Sequence, residues 1–470
     1  MDTSISDIPP EVLSTILGHL IEADPRTPPK RKLAHVCSAR LVCQHWSTLC
    51  TPHLFETLSL TNTREDFSPW NGLLDSEAIR RTARRVVVQS CHSYGPSAKA
   101  TEGIYPAFTD AIARIAELPG ISALKIVFYR QCLGVESADF LSYGLVESPA
   151  ARVNVLKAVF GGIRRRAAED PGAARIQSLT LENLQNMPIP EFTGSELYRD
   201  VMRDVDTLHL LVAEEYNEEE PNHEINCIER QQYEPHLQST LLPPIADQLT
   251  TLTLAFLEPW GVLPGYFNGR GLVFPRLKTL TLGEFVIGYH DHMDWVLAQT
   301  SLTTLRLDRC FVVSHLSVGD EKLHEWDVRT DDWELHPRGA YGTLDSESVY
   351  TFPGTWAAIL DRIRTRLVNL TDFRLENDES ELKFWMPQVM GARLSSLRYV
   401  NFADENQYAP WLQASVDGDM EFGNNIARPE PGDQDSVGEV SLNRARDTEG
   451  ADGAALDALL LAVEERRRAI

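Results

Sequence analysis

One short segment carries side chains that can bind a metal ion, His290-Asp291-His292-Met293-Asp294. Histidine nitrogens and carboxylate oxygens are ordinary ligands of zinc and other transition metals. The segment follows a predicted strand around Leu280 and Leu282, at the point where the chain turns toward a helix. Asp291 or Asp294 can equally cap that helix. We therefore expect capping at this position and no metal site.

Cys43 and His45 combine a thiol with a possible base. They lie on one predicted helix and are too close in sequence for the usual spatially assembled catalytic pair. The chain has no G-x-S-x-G elbow, no Walker loop and no H-E-x-x-H sequence. Residues 269–271, Gly-Arg-Gly, lack the third glycine of a dinucleotide site. We expect no catalytic residue and no cofactor, so the chain is predicted not to be an enzyme.

The composition describes a chain of 470 residues with a net charge of −24. A nucleic-acid-binding protein usually shows a basic stripe or domain, and none is present on that scale, so no nucleic-acid partner is expected. The seven cysteines include no C-x-x-C pair and are typical of a reducing compartment. The chain shows neither a secretory signal nor an apolar run long enough to span a membrane. The expected location is the cytoplasm or the nucleus, without a membrane partner.

Three short helices are predicted in the first sixty residues. The segment Ser6-Asp7-Ile8-Pro9-Pro10-Glu11 is typical of a helix start, and Leu13, Ile16, Leu17 and Leu20 follow with the spacing of one buried face. Val12 lies off that face and is free to meet a partner. A second helix should bury Leu33, Val36, Cys37 and Leu41, and a third should contain Trp46 and Leu49 and end at Pro52. A strand is predicted over 54–60. So small a core is marginal by itself, which indicates a docking module.

These residues resemble the F-box family in the form common among fungal proteins. The resemblance covers residues 5–60 and rests on Ile8-Pro9-x-Glu11-Val12-Leu13, Ile16-Leu17-x-x-Leu20, Leu41-Val42-Cys43-x-x-Trp46 and Pro52-His53-Leu54-Phe55. The family usually opens with Leu-Pro where this chain has Ile-Pro, and the loop over 22–32 is longer than in the shortest members.

The resemblance implies docking to a Skp-family adaptor, and through it to cullin and RING subunits. By position in the family, the residues that form or support the adaptor surface are Ile8, Pro9, Val12, Leu13, Ile16, Leu41, Val42 and Trp46. The alternative is a capped helical hairpin that only packs on the rest of the chain.

A six-residue template, apolar at its first, fourth and sixth positions, recurs through the remainder. The clear copies begin at Ile176, Val205, Leu249, Leu277 and Leu302, looser copies begin at Leu370 and Leu397, and degenerate copies begin at Phe55, Ala83 and Ile121. The fourth and sixth residues of a short strand point to one side, into a core, and the residue between them points out. Helices are predicted between the copies over 150–166, 356–367 and 293–297.

The predicted fold class is therefore α/β, an N-terminal three-helix F-box followed by an irregular leucine-rich-repeat solenoid. Ordinary βαβ units are the alternative. The repeat domain is expected over 61–412, with insertions near 213–234 and 314–350. The first insertion is strongly acidic and is expected to be solvated or disordered, and the second contains Trp326 and Trp333, which either bind a partner or pin the loop. Residues 413–450 form an acidic segment expected to be disordered or loosely packed. Residues 451–470 form a C-terminal helix that either caps the solenoid, the favoured interpretation, or docks a partner.

The leading functional hypothesis is a substrate-recognition subunit of a Skp–cullin–F-box ubiquitin ligase that binds a target protein on the outward face of its strands. The candidate target-binding residues are Thr253, Thr281, Thr304, Arg306, Arg374 and Tyr399. Plain exposed strand polarity is the alternative for these residues. The alternative function is a non-catalytic scaffold or regulator that acts outside ubiquitination.

Overall fold

The computed structural model describes residues 8–22, 29–62, 66–91, 106–130, 132, 147–214, 223–342, 347–377, 390–404, 410–413 and 444–469. The chain forms two compact units. The first comprises Met1–Phe128 and Ala150–Thr180, and the second comprises Tyr129–Pro149 and Leu181–Ile470. The predicted domains divided the chain at residue 60 instead. The three N-terminal helices share a unit with the strands that follow them, because α3 packs against α5 and β1 pairs with β2 in that unit.

The first unit begins with three helices and continues as alternating strands and helices. Its elements are α1 (Pro10–Glu22), α2 (Pro29–Arg40), α3 (Gln44–Phe55), β1 (Thr57–Thr61), α4 (Ser68–Leu74), α5 (Glu77–Thr82), β2 (Arg85–Gln89), α6 (Pro106–Ala113), β3 (Ala123–Val127) and α7 (Pro149–Glu169). The predicted helix over 150–166 is α7, and it buries Val155, Leu156, Val159, Phe160 and Ile163. Pro52 lies inside α3 and does not end it, so the predicted strand begins only at Thr57.

Strands β1, β2 and β3 pair in parallel and in register. Leu58, Val86 and Leu124 form one buried row across them. Leu60, Val88 and Ile126 form the next. These residues are the fourth and sixth positions of the degenerate copies at Phe55, Ala83 and Ile121, so the template predicts the strands of this unit correctly.

The boundary between the units falls inside β4 (Ser178–Gln185). The second unit then contains α8 (Pro190–Thr193), α9 (Glu196–Met202), β5 (Thr207–Ala213), α10 (Ile228–His236), β6 (Thr251–Trp260), β7 (Thr279–Ile287), α11 (Asp294–Leu297), β8 (Thr304–Asp308), β9 (Phe311–Val318), α12 (Asp320–Glu325), β10 (Glu334–His336), β11 (Ser348–Thr351), α13 (Trp356–Arg366), β12 (Asp372–Glu376), β13 (Tyr399–Ala403), β14 (Trp411–Gln413), α14 (Arg444–Asp447) and α15 (Glu449–Arg468).

Strands β5, β6, β7, β8 and β12 of the second unit lie side by side, all parallel. Two buried rows of the template residues cross them in register. The rows are Leu208, Leu252, Leu280, Leu305 and Phe373, and then Leu210, Leu254, Leu282, Leu307 and Leu375. The template therefore predicts the strand positions and their buried side here as well.

The chain bends where it leaves these rows. Glu284 and Arg309 have left-handed backbones, with φ of 59° and 54°. Beyond the bend, β7 pairs with β9, which pairs in turn with β11 in the antiparallel direction and with β13 in parallel. The predicted insertion over 314–350 is therefore not a loop throughout, because β9, β10 and β11 extend the sheet.

The connections between parallel strands are unequal. The link from β6 to β7 contains no helix, and the only helix in the link from β7 to β8 is the four-residue α11. By contrast, the connection from β3 to β4 contains α7, which is 21 residues long. The fold is mixed α/β with in-register parallel strands.

The acidic segment at 213–234 differs from the prediction. Residues 215–222 lie outside the described residues, but the next part folds into a 3-10 helix (His223–Asn226) and α10. Arg230, Tyr233 and Glu234 are buried there. The expectation of a solvated loop is wrong for this part, because composition does not show which face of a helix meets the core.

The predicted C-terminal helix corresponds to α15, which packs on α13 and buries Leu456, Leu459 and Val463. Most of the acidic segment predicted at 413–450, residues 414–443, lies outside the described residues. Among the helices that the structure describes, none is both long and apolar enough to cross a membrane.

Candidate functional site

The first three helices enclose a small core. Its buried members are Leu13, Leu17, Val36, Ala39 and Cys50, and the partly buried Ile8, Trp46, Leu49 and Leu54 pack against them. Polar contacts also join the helices, because Ser14 Oγ lies 3.3 Å from His53 Nε2 and the Arg40 guanidinium lies 5.4 Å from the centre of the Phe55 ring. In the part of α1 whose side chains the structure describes, Leu13 and Leu17 face this core, and Val12 and Ile16 are exposed.

Apolar side chains face solvent on α1 and in the turn between α2 and α3. Val12 and Ile16 of α1 are 49% and 45% exposed, and Leu41 and Val42, in the turn between α2 and α3, are 85% and 62% exposed. These are four of the nine large hydrophobic side chains that are exposed in the described residues. Such concentration on a small module is typical of a surface that binds a partner. We call these four residues the apolar docking surface.

The structure separates the predicted adaptor-binding residues into two groups. Val12, Ile16, Leu41 and Val42 lie on the surface, where the exposed Pro9 precedes the two residues of α1. Leu13 is buried, and Ile8 and Trp46 pack on the core, so these three support the surface from beneath.

The sequence pattern had placed Ile16 and Leu41 on buried helix faces, and that placement is wrong. Helix α1 turns Leu13 and Leu17 inward and leaves Ile16 outside, and Leu41 lies beyond the end of α2. The side chains of Leu20 and Leu33 lie outside the described residues.

Five of the six candidate target-binding residues fall on neighbouring rows of the parallel strands. Thr253, Thr281, Arg306 and Arg374 occupy one outward row, which begins at His209 of β5, and Thr304 lies one row earlier. Arg306 and Arg374 are partly exposed and both approach Asp372, with nitrogen–oxygen distances of 3.6 Å and 2.9 Å. Thr304 is also partly exposed.

Two threonines of this row do not reach the surface. Thr253 and Thr281 are each only 3% exposed, and the Thr253 hydroxyl lies 2.8 Å from His209 Nδ1. They lie on interior strands, where neighbours on both sides cover a short side chain. Their prediction as surface contacts for a target is therefore wrong, and Thr304, Arg306 and Arg374 remain as candidates at outward positions.

Tyr399 is also misplaced by the sequence prediction. It is fully buried, and its hydroxyl lies 3.1 Å from the Asp452 carboxylate of α15. The network around this contact was not predicted. Arg398 Nε donates to Asp452 Oδ2 at 2.9 Å, and the two side chains are 5% and 0% exposed. The only sequence signal for it is an arginine within the repeat copy that begins at Leu397, and that signal identifies neither its burial nor its partner.

Trp326 and Trp333 pin their loop to the body of the second unit. Both are mostly buried. The Trp333 indole donates to Gly288 O at 2.7 Å and stacks on Tyr289, and Trp326 packs edge-on against Phe402. Of the two alternatives left open by the sequence, the packing supports pinning.

The segment over 290–294, whose side chains could bind a metal ion by their types, makes other contacts in the structure. His292 is fully buried, its Nδ1 accepts from Gly288 N at 3.2 Å, and its Nε2 lies 2.6 Å from Phe267 O and must therefore donate. Asp291 pairs with Arg329 at 2.6 Å, and Asp294 pairs with Arg362. The capping expected of Asp291 or Asp294 is wrong, because Met293 precedes α11 without a side-chain cap. In the described part of the chain no group of three or more His, Cys, Asp or Glu residues is placed to hold a metal ion.

We expect the burial of His292 to lower the free energy of unfolding in acid. Burial lowers the pKa of His292 from 6.5 to about 4, so the unfolded chain takes up a proton before the folded chain does. The contribution of the neutral His292 to the free energy of unfolding is therefore complete above pH 6.5 and is lost as the pH falls toward 4. Between pH 7 and pH 5 the loss is about 2 kcal/mol. Urea denaturation at both pH values should show that His292→Gln lacks this component. The matched change at the exposed His324 should leave the pH dependence intact, and equal behaviour of the two variants would refute the assignment.

Comparison with known proteins identifies one part of the chain. A family profile described as F-box-like matches residues 5–61. No curated protein matches the chain. The matched residues include all three N-terminal helices and the apolar docking surface. Residues 5–61 of this protein are therefore an F-box-like domain.

Proposed function

We propose that this protein is the substrate-recognition subunit of a Skp–cullin–F-box ubiquitin ligase. The observation that carries the proposal is the apolar docking surface, whose four side chains stay exposed on an F-box-like domain. Apolar residues left uncovered on a small module favour burial against another protein. The partner that the domain implies is a Skp-family adaptor, with cullin and RING subunits beyond it.

The proposal assigns target binding to the second unit, as an irregular leucine-rich-repeat solenoid. Two in-register apolar rows and the partly exposed Thr304, Arg306 and Arg374 support this assignment. In stacked-repeat proteins the strand face forms an extended binding surface. The protein acts as a receptor and leaves ubiquitin transfer to its partners. Its seven cysteines fit action in the cytosol or the nucleus.

Co-purification of the full chain with a Skp-family adaptor and a cullin tests the proposal. Retention of both, with ubiquitin transferred to a co-purifying protein, is the expected result. Retention of the adaptor without any ubiquitinated protein would favour a scaffold or regulator instead. A chain that begins at residue 61 is not a suitable control. It lacks the F-box-like domain but also most of β1, which pairs with β2, so it can lose binding through misfolding.

Target binding through the outward row has its own test. Replacing Arg306 and Arg374 together with alanine should weaken target capture by about tenfold, because arginines supply a large share of interface energy. Their partly exposed ion pairs with Asp372 contribute little to folding, so thermal stability should change by less than about 1 kcal/mol. Arg203, an exposed arginine in a similar ion pair, is the matched control position. Unchanged target capture by the double variant would remove this row from the binding surface.

A further inference from the structure

Glu234 is a carboxylate buried without a hydrogen-bonding partner. It lies near the end of α10 and is 1% exposed, and neither of its carboxylate oxygens has a hydrogen-bond partner. The carboxylate rests directly on Gly265, where a methyl group in place of the glycine hydrogen would overlap it. A buried polar group without a partner is rare in folded proteins and needs an explanation.

In the part of the chain that the structure describes, the surroundings of Glu234 contain little compensating charge. The titratable groups around it are Arg230, Tyr233 and His236 on its own helix, Tyr198 on α9, Glu214 after β5, and Tyr266 in the link from β6 to β7. Arg230 is the one cation among them, and it pairs with Glu214 at 3.4 Å. The Tyr198 hydroxyl donates to Leu241 O, and the Tyr233 ring packs edge-on against Phe256.

An ionised carboxylate is therefore unfavourable at this position. Burial raises the pKa of Glu234 from 4.5 to about 7, and Arg230 offsets only part of the increase. The neutral carboxyl is accommodated at a lower free energy than the anion, because an unpaired buried charge loses its hydration.

The helix that carries Glu234 is also weakly reinforced. Pro235 lies within α10 and lacks the N–H that an interior helical residue would donate. A π-helical turn, Leu237–Leu241, follows directly. Such turns interrupt the regular hydrogen-bond ladder and occur often at functional sites. A local opening at this point breaks fewer backbone hydrogen bonds than an opening in the middle of a regular helix.

We propose that Glu234 is a pH-sensitive latch, which holds α10 against the link from β6 to β7 when protonated and releases it when the proton is lost to water. The open form exposes the carboxylate to solvent, where it ionises as an ordinary glutamate does. Acidification closes the latch, and a rise toward neutral pH loosens it.

The two protonation equilibria determine the size and the sign of the effect. The closed form binds its proton up to about pH 7, and the open form loses it near 4.5. The closed state is thus favoured most below pH 4.5, and this advantage disappears as the pH rises through 7. Between pH 5.5 and pH 7.5 the opening constant should increase by about twentyfold and then level off.

Amide hydrogen exchange of the full chain at pH 5.5 and pH 7.5 tests the latch. After correction for intrinsic exchange, amides of α10 should lose about twentyfold in protection at the higher pH. Glu234→Gln keeps the size of the side chain but cannot ionise, so its α10 amides should keep the same protection at both values. Glu191→Gln, at an exposed position on α8, is the matched control and should behave like the unsubstituted protein.

Two results would overturn the proposal. One is α10 protection in the unsubstituted protein that does not change with pH. The other is an equal change in β6, β7 and α10, since that would show global unfolding and not a local latch. Loss of structure in Glu234→Gln would appear in its circular dichroism. In that event Gly265→Ala, which crowds the carboxylate, should raise α10 exchange at both pH values, and unchanged exchange would contradict the contact itself.

Discussion

Replacing Asp452 with alanine is expected to lower the free energy of unfolding by about 3–5 kcal/mol, the cost of leaving one member of a buried ion pair alone. The member left behind is Arg398, whose side chain is 5% exposed. Its guanidinium would keep hydrogen bonds to Ser395 O and Ala445 O but lose its only described anionic partner. An uncompensated charge in the interior is among the largest single destabilising effects.

Asp452 does more than neutralise Arg398. Its Oδ1 accepts from Ala357 N at 2.8 Å, in the first turn of α13, and its Oδ2 accepts from Thr448 Oγ1 at 2.6 Å and from Tyr399 at 3.1 Å. One carboxylate thus joins α15 to the start of α13 and to β13. Its removal should loosen the C-terminal helix from the second unit.

Chemical denaturation with circular dichroism measures this effect. Asp457→Ala is the matched control, because Asp457 is exposed on the same helix and should change stability by less than about 0.5 kcal/mol. Asp452→Asn keeps the shape and one acceptor oxygen and should fall between the two. A loss in Asp452→Ala no larger than in Asp457→Ala would show that the network does not hold α15.

Replacing Leu41 and Val42 together with aspartate is expected to weaken adaptor binding by at least about a hundredfold, since central apolar contacts in an interface commonly contribute 2 kcal/mol or more each. Both side chains are mostly exposed, at 85% and 62%. The change therefore removes little intramolecular packing, and the free energy of unfolding should stay within about 0.5 kcal/mol. A Skp-family adaptor immobilised on a sensor surface gives the affinity directly.

The control for that experiment is Leu335→Asp with Val273→Asp. These two residues are 63% and 61% exposed and lie outside the F-box-like domain. The control should bind the adaptor as the unsubstituted protein does. If the two double variants bind equally well, the apolar docking surface is not the adaptor site. A change at Leu13 or Trp46 would not distinguish binding from folding, because both side chains belong to the core.

Local patterns predicted the strands and the longer helices. The six-residue template marks each strand of the parallel rows, from Leu58 in β1 to Phe373 in β12, because alternation along a strand is a property of neighbouring residues. Helices α7 and α13 follow from apolar spacing for the same reason. The F-box-like module was likewise predictable, because its residues lie in one continuous segment.

Errors arose where burial depends on residues far away in the chain. Thr253 is covered by contacts such as that with His209, 44 residues earlier, and Tyr399 is covered by α15. Ile16 lies on a helix whose pattern allows either face to be buried, and only packing against α2 and α3 decided between them.

The sequence by itself therefore determined the F-box-like module, the positions of the strands and the absence of familiar catalytic motifs. Tertiary structure alone decided which polar residues are hidden. Glu234 lies in a segment that composition describes as acidic and solvated, and Asp452 lies in the predicted C-terminal helix, yet both are buried, Asp452 beside Arg398 and Glu234 without a hydrogen-bond partner. The physical reason is that the free energy of a buried charge depends on what surrounds it in space. Arg398 and Asp452 are 54 residues apart in the sequence. Patterns among neighbouring residues therefore do not predict that these two side chains meet.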